Sequence, residues 1–291
     1  MQASNLRGIV LLVLAIGLLS LMDAGLKLLA EHYGSFQVAA LRGLASLPFA
    51  LVWIMATTGL GTVLRIRWPI HALRGVLAVC MMVPFVYALQ HMPLTTAYAI
   101  FFVAPLLVTA LAVPILGEKV GPRRWAAIVV GLLGTLVILR PTGEGVATLA
   151  GLACLLGAFC YALSAVLVRM LARTDSSQSM VFWMLTSVSV GAGALAWPEW
   201  QPIGGQHGWL VAGVGLAGAL GQYCLTEAFR HGEASAIAPF EYTALAWGTG
   251  LDVVLWGVLP DRVTWLGTAI IVVAGLYLIR REKVHAEAEH P

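Results

Sequence analysis

Ionisable side chains are scarce in this sequence, so those lying inside apolar runs are the first candidates for chemistry. Asp23 and Lys27 stand four residues apart in a Leu-rich stretch, a spacing that puts both on one face of a helix. They can satisfy each other as scaffold, or receive the amino and carboxyl groups of a small ligand. Glu241 and Asp252 fall in a second apolar stretch near the C-terminal end. Charge at membrane depth is costly and marks function by default. Glu241 reads as lining a vestibule. Asp252 has no partner nearby in sequence, and its expected partner is Arg42 or an aromatic hydroxyl. Glu227, a turn before Arg230, reads as a snorkelling ion pair.

Aromatic and amide side chains form the second group. Phe102, Tyr161, Tyr223 and Trp247, with the neutral donor and acceptor Gln222, fall near the middle of apolar runs. Flat rings with one polar handle suit an amphipathic metabolite. Trp197, Trp200, Trp209, Trp256 and Trp265 sit at run ends and read as an interfacial belt. The spacings needed for enzymatic or metal chemistry are missing. There is no HExxH, no CxxC, no GxxxxGK[ST] loop and no serine in a nucleophile's glycine context. Cys80, Cys154, Cys160 and Cys224 lie in apolar runs and read as packing residues. Neither an enzyme nor a cofactor is implied.

The elements that must position these residues follow from composition. The chain has 291 residues, 60% hydrophobic and 11% charged, with a mean hydropathy of +0.89. A water-soluble domain cannot bury that much apolar surface, so lipid is the solvent for most side chains. Apolar runs bounded by charge, Gly or Pro predict ten helices: 7–30, 36–58, 71–90, 94–117, 122–140, 148–172, 178–198, 207–230, 235–258 and 262–281. Arg7 and the Leu-rich run after it mimic a signal peptide, but a cleavage site is missing and a retained first helix is expected. Pro84, Pro105, Pro114 and Pro239 fall inside predicted helices and can bend them. A net charge of +3 on such a chain is no nucleic-acid footprint. Arg65, Arg67, Arg74, Lys119, Arg123, Arg169 and Arg173 cluster on one side of the predicted topology, which places both termini in the cytoplasm.

The sequence also repeats. Shifted by 140 residues, Ala88–Arg140 overlies Ala228–Arg280 without a gap, matching His91 with His231, Thr109 with Thr249, Gly117 with Gly257, and Trp125 with Trp265. Each copy holds five predicted helices. Because five is odd, the second copy enters the membrane from the opposite side, and a site near the midplane between the copies is expected.

The Asp23…Lys27 first helix, Arg42 opening the second, and the fourth stretch with Pro105 closing in Leu-Gly-Glu118 resemble the drug/metabolite transporter superfamily, specifically its EamA-like ten-helix exporters. The resemblance covers essentially the whole chain. It implies two inverted five-helix halves around a central cavity, lined by the first, third, fourth, sixth, eighth and ninth helices. One departure is that the position matching Glu118 is Val258.

The expectation is therefore an all-α integral membrane protein of ten transmembrane helices in two inverted five-helix repeats, 1–145 and 146–283, followed by a mobile tail over 284–291. It would sit in a bacterial inner membrane as a secondary transporter exporting small metabolites, with aromatic or neutral amino acids as the expected class. Its partners would be that substrate and the lipid bilayer, not nucleic acid; the sequence fixes no oligomeric state. Substrate-binding candidates are Asp23, Lys27, Phe102, Tyr161, Gln222, Tyr223, Glu241 and Trp247. An intramembrane enzyme and a channel-like membrane subunit are the alternatives.

Overall fold

The structure, a computed structural model, describes residues 2–57, 59, 61–64, 66–117, 121–139, 149–171, 174–231 and 238–289. Arg65, Glu118, Lys119, Arg140 and Arg173 lie outside them. The described residues are helical with no strand. In order they form α1 (Gln2–Ala30), α2 (Ser35–Thr57), the single turn α3 (Gly61–Leu64), α4 (Trp68–His91), α5 (Leu94–Phe101), α6 (Ala104–Leu116) and α7 (Pro122–Leu139). There follow α8 (Leu149–Leu171), α9 (Ser177–Ala196), α10 (Gly208–His231), α11 (Thr243–Leu251) and α12 (Arg262–Glu289).

Seven stretches among the described residues are long and apolar enough to cross a bilayer, counting α5 and α6 together; Trp125–Ile138 and Arg262–Tyr277 are shorter apolar helices. The predicted ninth helix is broken. A 3-10 turn over Ala238–Tyr242 leads into α11, and a π-helical turn over Asp252–Trp256 follows it. The predicted fourth helix breaks at Phe102–Val103, just before Pro105 opens α6. Proline fits there because its missing N–H is one that a first turn leaves unpaired anyway. Pro84 and Pro114 stay inside α4 and α6. At the C-terminus α12 extends to Glu289; 290 and 291, the end of the expected tail, lie outside the described residues.

Hydrogen bonds sort the helix ends onto two faces. On the first face the α1–α2 turn meets the loop before α10. The Tyr33 hydroxyl is hydrogen-bonded to His207 Nδ1 at 2.8 Å and accepts from the Gly204 N–H at 3.0 Å. Gln37 and Gln201 exchange two bonds, at 2.6 and 3.0 Å. The end of α4 joins them, as Gln90 donates to the carbonyls of Ala30 and Tyr33 and accepts from Ser35. On the second face the α8–α9 turn grips the start of α4. Asp175 accepts from His71 Nε2 at 2.8 Å and from the Arg67 N–H at 3.2 Å, and Trp183 and Ser179 donate to the carbonyls of Val63 and Thr62.

The 140-residue spacing recurs in the element bounds. Helix α4 starts at Trp68 and α10 at Gly208; they end at His91 and His231, and α7 and α12 open at Pro122 and Arg262. Gly117 and Gly257 both terminate their helices in the left-handed region, at φ 71° and 65°, which glycine adopts without a Cβ clash. Thr109 and Thr249 each bond back to the carbonyl four residues earlier. Yet α4 ends on the first face while α10 begins there, so these matched helices run in opposite directions. The main packing pairs are α1 with α10, α4 with α8, α2 with α9, α7 with α12 and α5 with α11. Each joins a helix from one half of the chain to one from the other.

Within the α7–α12 pair the backbones nearly touch. A Cβ placed on Gly267 would lie 2.8 Å from the Gly134 carbonyl oxygen, and one on Gly134 would lie 3.0 Å from that of Gly267. Backbone cannot yield as a side-chain tip does, so close small-residue contact holds this pair together. Gly267→Val is expected to destabilise the protein by about 1–3 kcal/mol. Gly213→Ala, where an added Cβ meets nothing within 4 Å, should be neutral. Thermal unfolding in detergent checks both, and equal losses would contradict the close-approach account.

Candidate functional site

The break between α4 and α5 leaves backbone donors at the start of α5 without partners inside the helix. Its N-cap, Pro93, offers no side-chain acceptor. The acceptor comes instead from 157 and 158 residues away. Asp252, fully buried, accepts from the Leu94 N–H at 2.9 Å, the Thr95 N–H at 2.8 Å and the Thr95 hydroxyl at 2.8 Å. A carboxylate on a helix N-terminus meets both unpaired N–H groups and the positive end of the helix dipole. Asp252 opens the π-helical turn that follows α11.

Lys27 completes the clamp. Its Nζ donates to the Met92 carbonyl at 2.7 Å, lies 3.9 Å from Asp252 Oδ1 and sits 4.5 Å from the centre of the Trp256 ring. Trp256 in turn donates to Glu31 at 2.9 Å. The clamp joins α1, the α4–α5 turn and the end of the α11 segment in one polar knot on the first face. Lys27 is thus committed to Met92 and Asp252, and makes no ion pair with Asp23. The pairing that their spacing allowed does not form. Asp252 meets neither Arg42 nor an aromatic hydroxyl, contrary to the sequence expectation.

Asp23 belongs to a second cluster, one turn deeper. Tyr98 of α5 donates its hydroxyl to Asp23 Oδ2 at 2.9 Å, and Arg42 of α2 supplies the nearby positive charge. The Arg42 Nε and Nη1 atoms are buried without a hydrogen-bond partner. Asp23 precedes the end of α1 by seven residues and Arg42 follows the start of α2 by seven, so each lies about 10 Å in from the first face.

Aromatic rings continue the line inward. Phe102 meets Tyr242 with ring centroids 4.9 Å apart, Tyr161 meets Phe101 at 5.4 Å, and Phe101 meets Phe85 at 5.3 Å. Trp247 lies against Gly17 of α1, whose built Cβ would stand 3.0 Å from the indole, and Tyr98 lies against Gly248. Glu241 interacts electrostatically with Tyr161 and Tyr242. Gln222 on α10 is partnered within the protein, and Tyr223 is half exposed. Asp23, Phe102, Tyr161, Glu241 and Trp247 therefore fall along one connected line. Sequence reasoning missed Tyr98 and Thr95. The only available signal was their position a few residues after the Pro93 break.

Because Asp252 serves three donors and one ammonium, Asp252→Asn strands the Lys27 charge and weakens the α5 cap. Its expected cost is about 3 kcal/mol, against about 1 kcal/mol for Thr95→Val, which removes a single hydroxyl bond. Thermal or denaturant unfolding in detergent measures the difference. Comparable small losses for both would show that the clamp is not holding α5.

The sequence profile of the EamA-like transporter family matches this chain twice, over residues 6–140 and 148–281. A riboflavin transporter of Vibrio cholerae is 32% identical over 221 residues, covering 75% of this chain and 74% of that protein. A pseudopaline exporter of Pseudomonas aeruginosa is 27% identical and covers 95% and 97% of the two chains. An S-adenosylmethionine uptake transporter of Rickettsia prowazekii is 28% identical and covers 98% and 96%. A crystal structure with 22% sequence identity superposes with a TM-score of 0.64 over 95% of this chain and 97% of its own, which establishes a shared fold. Together with the all-helical apolar architecture, the double match shows that this chain belongs to the EamA-like transporter family.

Proposed function

We propose that this EamA-family transporter is a secondary carrier for a small metabolite bearing a flat ring and a charged head, with amino acids and their relatives as the leading class. Its halves, 1–145 and 146–283, act as inverted repeats around the line of aromatic residues. The observation that carries this reading is the packing of each half's helices against the other's, with matched helices α4 and α10 running in opposite directions. Two such halves can exchange conformations, which is the basis of alternating access around a midplane site.

The chemistry of the line supports the cargo class. Rings at Phe102, Tyr242 and Trp247 offer stacking faces, and Asp23 and Arg42 offer opposite charges beside them. The relatives include exporters and uptake transporters, and a carrier of this kind moves its cargo in the direction set by gradients. Export is the direction we assign, from a bacterial inner membrane with the Asp175 face in the cytoplasm, where Arg67 and Arg74 lie.

Substrate counterflow in proteoliposomes tests this. Labelled L-tryptophan or L-phenylalanine outside should enter faster when the same unlabelled compound is loaded inside, with saturation. Phe102→Ala, Tyr242→Ala and Trp247→Ala should each raise KM by about two- to tenfold, the range of an aromatic contact worth about 0.5–1.5 kcal/mol. Flux that never saturates and shows no counterflow would favour a channel instead.

A further inference from the structure

The polar groups at the end of the aromatic line have an unusual balance. Arg42 buries Nε and Nη1 with no hydrogen-bond partner. An unsatisfied buried donor costs about 1–3 kcal/mol, more when charged, so protein interiors seldom leave one unmet. Asp23, the carboxylate acting on it, makes no direct ion pair with Arg42 and receives a single hydrogen bond, from Tyr98 to Oδ2. The two groups lie at equal depth on neighbouring helices, close enough to act on each other's charge without forming an ion pair. Lys27 cannot serve either, because Met92 and Asp252 hold it.

We infer that Arg42 and Asp23 form a cradle for a zwitterionic head group, with Arg42 receiving a carboxylate and Asp23 an ammonium. This rests on the carrier reading above and makes Arg42 a specificity-determining residue. Charge balance selects the zwitterion. Arg42 with Asp23 is neutral as a pair, and so is Lys27 with Asp252. A lone anion or cation entering this setting would leave a net charge in low dielectric, whereas a zwitterion leaves none. Guanidinium donors match carboxylate oxygens in number and geometry.

Position fits the rest of the cargo. Tyr98 bonds Asp23 and packs on Gly248, next to Trp247. Trp247 packs on Gly17, six residues before Asp23 on α1. Phe102, one turn after Tyr98, carries the ring of Tyr242. A head group held between Arg42 and Asp23 thus has its side chain directed along the rings.

The test uses purified full-length protein and three probe sets: the twenty standard amino acids, their methyl esters, and their decarboxylated amines. Thermal stabilisation in detergent and counterflow in proteoliposomes are read for each. At least one free amino acid should stabilise the wild type and exchange. Its ester and its amine should each lose at least about tenfold in apparent affinity, the loss of one charge-assisted hydrogen bond. Arg42→Gln should remove the preference for acid over ester, and Arg42→Lys should restore part of it. Phe102→Ala should weaken acid and ester alike while keeping the preference. Esters or amines that match the free acids would overturn the cradle, as would an Arg42→Gln protein that retains the preference. If Arg42→Gln fails to fold, the wild-type comparison of acid, ester and amine still decides. If no amino acid responds but riboflavin shows counterflow, the cradle is wrong and the carrier reading stands. Absence of saturable exchange across the probe sets and riboflavin would defeat both.

Discussion

One buried carboxylate pins the start of α5 on the first face of this protein. Asp252 leaves the π-helical turn of the α11 segment and caps α5, whose own N-cap is a proline with nothing to offer. The residues around the cap are among the most completely buried in the chain, including Leu94, Thr95, Ala97 and Ile100. An ionised carboxylate this deep is tolerated because every neighbouring donor serves it: two backbone N–H groups, one hydroxyl and the Lys27 ammonium. The cap also fixes where Tyr98 and Phe102 stand, since both ride on the segment it anchors. Asp23 and the aromatic line depend on it in turn.

The clamp breaks the twofold pattern seen elsewhere. Gly117 repeats as Gly257 and Thr109 as Thr249, but the position matching Asp252 is Ala112, a buried methyl that can accept nothing. The carboxylate that caps α5 on the first face therefore has no acidic residue at its matched position. In a carrier that exchanges openings, such asymmetry would bias which closed state is favoured. The rings between the faces would be shared by both states, while the clamp belongs to one.

Much of the architecture was legible in the sequence because its signals are local. Apolar runs give the helices, and the Gly117–Gly257 match survives because a left-handed helix end excludes other residues at little cost only for glycine. His91 and His231 mark true helix ends. The fourth and ninth predicted helices hid their interruptions, since residues 94–117 are apolar across the break at Phe102 and only Pro105 hinted at it. The polar network was harder. Asp23 and Lys27 are neighbours along one helix face, and that adjacency suggested a pair; packing sends one to α5 and the other to the α4–α5 turn. Asp252 found its donors more than 150 residues away, on a helix start that no local pattern connects to it. Arg42 was visible as a candidate partner for Asp252, but it stands beside Asp23 instead, and its unpaired nitrogens appear only once the neighbouring helices are in place.

The most direct measurement is a distance distribution across the latched face. Spin labels at His91 and Leu259, both exposed beside the clamp, are measured by pulsed electron resonance in lipid nanodiscs, in the native background and with Asp252→Asn. With Asp252 intact, a single short distance is expected. Neutralising it should add a longer-distance population as the face opens, while the protein remains monodisperse. A folded Asp252→Asn protein with an unchanged distribution would contradict the claim that this carboxylate holds the face closed.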